Sequence, residues 1–129
     1  MSYEENCRSR TVVPGSVVSR YRFVVLASDG QVDHVAAAGA MPDGVAMEPA
    51  TAQQVPPAIP MALPDGGVVK VECGGNIAVG AAVESNGSGQ AITFPATVGH
   101  TSCGRALEAG ASGRIIAIQF FNNGANVGT

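Results

Sequence analysis

Residues 81–94 read Ala81-Ala82-Val83-Glu84-Ser85-Asn86-Gly87-Ser88-Gly89-Gln90-Ala91-Ile92-Thr93-Phe94. An Asn-Gly pair between two short apolar-bearing runs is a strong hairpin signal, because both residues accept the positive φ of a tight turn. The stretch predicts a strand at 81–84, a turn at 86–89 and a return strand at 90–94. Upstream, Val69, Val71 and Cys73 alternate with Val68, Lys70 and Glu72. That is the period of a half-buried strand, and Gly74-Gly75-Asn76 turns it. Downstream, residues 101–109 form a further strand candidate. Gly110-Ala111-Ser112-Gly113 then turns the chain into Arg114–Phe121, a strand apolar on both faces, as expected at the centre of a small barrel.

The front half repeats the pattern less regularly. Over 16–27, Tyr21, Phe23 and Val25 alternate with Arg20, Arg22 and Val24. Ser28-Asp29-Gly30 turns this strand into a second at 31–35, and residues 44–47 add a short third. Residues 36–43 read as loop. Five prolines, at 49, 56, 57, 60 and 64, make 49–66 an irregular or edge segment, since proline cannot donate to a ladder. Only near 50–55 is there room for a turn or two of helix. Pro14-Gly15 closes a leading segment, 1–15, that reads as an extended arm. Residues 122–129 read as a flexible polar tail, which leaves one β-rich domain at 16–121.

Composition supports this outline. The chain has 129 residues, 46% hydrophobic and 13% charged. Valine outnumbers leucine 17 to 3, which favours pleated surfaces over helices. The expected class is all-β, a small barrel or sandwich of tulip-like form with little or no helix. The net charge of −3 offers no general attraction to nucleic acid. Residues 1–28 carry a net +2 and the remainder −5. No apolar run approaches the roughly 20 residues that span a bilayer. The opening residues are polar and acidic, so no secretory signal is expected. The three cysteines, Cys7, Cys73 and Cys103, are odd in number and lack close spacing, which suits reduced thiols better than a disulfide framework.

The stretch His100-Thr101-Ser102-Cys103-Gly104 places an imidazole, a hydroxyl and a thiol close together. Nucleophilic catalysis also needs an orienting third group, and no residue pattern supplies one. Cys103 is therefore expected to be a small buried hydrophobe. Asp33 and His34 would point to opposite faces of a strand, and His34 reads as a surface residue. Arg20 and Arg22 read as a solvated strand face. The sequon Asn86-Gly87-Ser88 reads as a turn. No cofactor, metal or catalytic residue is expected. A barrel that binds a glycan or host-surface ligand is an alternative, weakened by the absence of tryptophan.

The runs LPDGGVVKVECGGNIAVGAAVESNGSGQAITF at 63–94 and CGRALEAGASGRIIAIQF at 103–120 resemble the capsid cement, or head decoration, proteins of tailed bacteriophages. The resemblance rests on Gly80-Ala81-Ala82-Val83, the Asn86–Gly89 turn, the Gly104–Gly113 segment and the strand Arg114–Phe120. It extends more loosely through Pro14-Gly15 and Asp43-Gly44-Val45-Ala46, so that it covers about 12–121. It implies a structural, non-enzymatic virion protein, made in the host cytoplasm and bound to the outer capsid surface. The implied partner is the major capsid protein, with homotrimers at three-fold and quasi-three-fold positions and no nucleic acid or membrane partner. An arm of this kind can add a strand to an exposed sheet edge. Capsid contact is accordingly expected at Tyr3, Arg8, Arg10, Val12 and Val13. Oligomer contact is expected at Phe120 and Phe121, one in the core and the other outside, because strand neighbours face opposite ways.

Overall fold

A computed structural model describes residues 9–12, 18–27, 30–49, 59–95 and 99–122. Ten strands run in chain order: β1 Ser9–Val12, β2 Phe23–Leu26, β3 Val32–His34, β4 Gly44–Ala46, β5 Ile59–Ala62, β6 Asp65–Glu72, β7 Ala82–Ser85, β8 Ala91–Thr93, β9 Gly104–Ala106 and β10 Ile115–Phe121. They form two five-stranded antiparallel sheets, ordered β1-β5-β4-β2-β3 and β6-β10-β9-β7-β8. Among the described residues there is no helix. The sheets stay open, so the all-β expectation resolves to a sandwich-like arrangement and not a closed barrel. Among the described residues the edges of the second sheet approach at an isolated bridge, Cys73 to Ala91.

The 81–94 hairpin forms as its residues dictate. Val83 pairs with Thr93 and Ser85 with Ala91. Asn86 holds the turn, its Oδ1 accepting the amides of Ser88 and Gln90 at 2.9 Å each. β6 follows its alternation, burying Val69 and Val71 and exposing Val68 and Lys70. β10 lies between β6 and β9.

The principal core lies between the sheets. Phe23, Val35, Val45 and Ala62 face Val69, Val71, Val83, Ile116, Ile118 and Phe120. Phe23 and Phe120 meet at a centroid distance of 5.8 Å, tilted by 48°, the separation favoured by aromatic pairs. A second cluster gathers Val12, Val18, Val24, Val32, Ala46, Ile59 and Met61. Neighbours such as Phe23 and Val24, or Met61 and Ala62, alternate between the two clusters, so the first sheet is apolar on both faces. That property was expected of Arg114–Phe121. Instead β10 buries Ile116, Ile118 and Phe120 and exposes Ile115 and Gln119 on its other face.

Other expectations are corrected. The strand read over 16–27 begins only at Phe23, because Tyr21 sits at φ +64°, outside the β region. The candidate at 101–109 shortens to Gly104–Ala106. The proline-rich stretch contributes β5, an interior strand between β1 and β4. Pro60 fits because its carbonyl accepts the Met47 amide. Its missing donor therefore faces the same side, past Ala46 where β4 has ended. The helical turn considered near 50–55 and the tail from 123 lie outside the described residues. Part of the 1–15 arm, Ser9–Val12, is a strand that extends the edge of the chain's own β5.

Candidate interaction surface

The His100–Cys103 stretch comes together as structure. His100 Nδ1–H donates to Glu84 Oε1 at 2.8 Å, and Glu84 is 1% exposed. Around it the Gly39 amide donates to the Ser85 carbonyl, and the Thr101 amide to the Gly39 carbonyl. Gly39 is at φ +78°, and a Cβ there would run into the His100 ring. Cys103 is fully buried, its thiol donating to the Val83 carbonyl at 3.6 Å. Burial pushes this thiol far above the ordinary cysteine range, and the Glu84 charge adds to the effect. The nucleophilic thiolate is suppressed there, and the imidazole is committed to a carboxylate. The cluster fastens two loops to β7.

His34 is half-buried, and its Nε2 accepts the Ser19 amide at 2.9 Å. Burial, helped by the Arg22 charge and opposed by Asp33, holds its pKa below the ordinary 6.5. It is a neutral acceptor tying the 18–19 segment to β3, and not the surface residue expected. Arg20 is exposed and lies over the Tyr21 ring at 4.5 Å.

Arg22 is not a solvated face. It donates to Glu72 Oε2 at 3.3 Å and to the Ser88 carbonyl at 3.0 Å. Gln90 Nε2 donates to the same Glu72 oxygen at 2.6 Å. The Phe23 amide donates to the Gly89 carbonyl and the Glu72 amide to the Tyr21 carbonyl. This joint clips the Asn86–Gly89 turn of one sheet to the start of β2 in the other. Local reading missed it because its partners stand up to 66 residues apart.

Among the residues expected to contact a capsid, Tyr3, Arg8 and Val13 lie outside the described set. Arg10 and Val12 are in β1. Val12 is buried in the second cluster, while Ser9 and Thr11 are exposed. The Phe120–Phe121 alternation holds in the fold. Phe120 is fully buried against Phe23, and Phe121 is half-buried on the opposite side.

What remains open is the outer face of the second sheet. One row crosses four strands as Val68, Gln119, Arg105 and Ala82. The next sets Lys70 beside Ala117, with Leu107 hydrogen-bonded to Ala117 in turn. Val68 is 48% exposed, Leu107 44% and Ile115 39%. Val79, in the turn before β7, is 67% exposed. Their signal was partly visible in sequence, where Val68 fell on the Lys70 face. Among the described residues no three His, Cys, Asp or Glu side chains gather as a metal-binding set.

The geometry thus defines an all-β, sandwich-like domain with an exposed sheet face. Among solved structures, the chain is similar to the N base of the head fiber gp8.5 of bacteriophage phi29. The TM-score is 0.68 at 23% identity, over 88% of this chain and 93% of that one. The likeness is one of fold. No protein-family model matches the chain, and no curated protein matches it.

Proposed function

We propose that the chain is a structural protein of a bacteriophage head, bound to the outer surface of the shell and stabilising it as a decoration or cement protein. The observation that carries this reading is the likeness to a phage head fiber base across nearly the whole of both chains. The resemblance of 63–120 to capsid cement proteins points the same way. In this reading the partner is the major capsid protein, and the chain acts without catalysis or cofactor. Homotrimers at three-fold and quasi-three-fold positions would let each subunit engage the shell. Further contacts then become effectively intramolecular, so modest contact areas sum to firm attachment. In this reading Tyr3, Arg8, Arg10 and Val13 add contacts to the shell, and Phe121 contributes to subunit contact.

Co-sedimentation with expanded, DNA-free heads assembled without this protein tests the reading. Saturable binding with regular surface density in electron micrographs is the expected result. Absence of binding by a folded chain overturns it. A chain lacking residues 1–8 tests the leading segment with β1 left in place. Weaker decoration is expected, and undiminished decoration would remove that segment from the contact.

A further inference from the structure

We infer that the outer face of the second sheet docks on a protein surface that carries carboxylates among apolar side chains. Resting on the proposed function, this names a folded surface that meets the shell in addition to the leading segment. The face combines two features seldom left together in water. Val68, Leu107 and Ile115 are each more than a third exposed. They are not scattered, because Val68 and Lys70 on β6 stand against Gln119 and Ala117 on β10, and Leu107 adjoins Ala117. Facing positions on neighbouring strands lie about 5 Å apart, so the side chains form one patch.

The second feature is charge. Lys70 and Arg105 stand within the patch, and among the described residues neither has an ion-pair partner. Two carboxylates lie nearby, Glu72, which is ion-paired, and Glu108, which keeps its charge within the patch. Glu72 accepts from Arg22 and Gln90, and Glu108 Oε2 accepts the Ala117 amide at 2.8 Å. Two cations, Lys70 and Arg105, thus stand against one unpaired carboxylate, Glu108, on a chain of net charge −3. A second copy packed through the same face would set two cations against two, with the Glu108 carboxylates too few to answer them. An acidic and apolar partner satisfies both features.

The test compares head binding by the full-length chain with two double variants. Val68→Asp with Leu107→Asp removes the apolar contact, and Lys70→Glu with Arg105→Glu reverses the charge. Circular dichroism melts and light scattering check fold and size. Each variant is expected to bind at least about tenfold more weakly with its fold unchanged. Wild-type binding is expected to weaken as salt rises. If the aspartates impair folding, Val68→Thr with Leu107→Gln carries the apolar arm. Binding by both variants equal to wild type overturns the inference and leaves the proposed function standing. Loss of binding together with dissociation of an oligomer overturns it in favour of a copy-to-copy interface. Failure of the wild-type chain to bind heads at all overturns the proposed function and this inference with it.

Discussion

Gly89 and Gly113 share a left-handed backbone, at φ +80° and +84°, and differ in their surroundings. A Cβ on Gly89 would lie 2.7 Å from the Phe23 carbonyl oxygen, whereas Gly113 has nothing within 4 Å. Alanine at 113 is expected to cost about 1 kcal/mol, the price of the conformation. Alanine at 89 is expected to cost clearly more in urea unfolding, because the sheet joint must also shift. His34 gives a pH signature. Its folded pKa is lowered from 6.5, so its contribution is intact above that value. The contribution is lost as pH falls below 6.5, where the unfolded chain takes up the proton first. The urea midpoint should therefore drop between pH 7.5 and 5.5, and drop less in His34→Gln, which keeps an acceptor but does not titrate. His100→Ala strips the carboxylate of Glu84 of its imidazole partner and is expected to cost about 2 kcal/mol.

At the scale of elements, β1 and β10 make the clearest cases. β1 pairs with β5 over four positions, from Ser9–Ala62 to Val12–Ile59. Deleting residues 1–12 should lower the melting temperature and promote aggregation, because it bares the β5 edge and uncovers the second cluster. β10 was legible as a strand from its apolar run, but its two faces were not distinguished. Ile115 and Ile116 are chemically alike, and only the packing of β10 against the first sheet decides which is buried. β5 was hidden for the opposite reason. Proline discourages a ladder, and Pro60 is tolerated only because β4 stops one residue short of it.

At the scale of the whole molecule, an aromatic-centred core and the Arg22–Glu72–Gln90 joint hold the two sheets together. A double-mutant cycle on Phe23→Leu and Phe120→Leu should give a coupling of about 1 kcal/mol by urea unfolding, since the rings meet across the sheets. Hairpins, turns and strand class were set by the sequence alone, because alternation and Asn-Gly chemistry act between near neighbours. The same nearness let Phe120 and Phe121 be assigned to opposite faces in advance. Which cluster each face joins, the pairing of Arg22 with Glu72, the burial of Glu84 against His100 and the patch of Val68 with Leu107 arose only in the tertiary structure. Each depends on residues brought together from distant parts of the chain, and no local period records which sheet face will meet another and which will meet water.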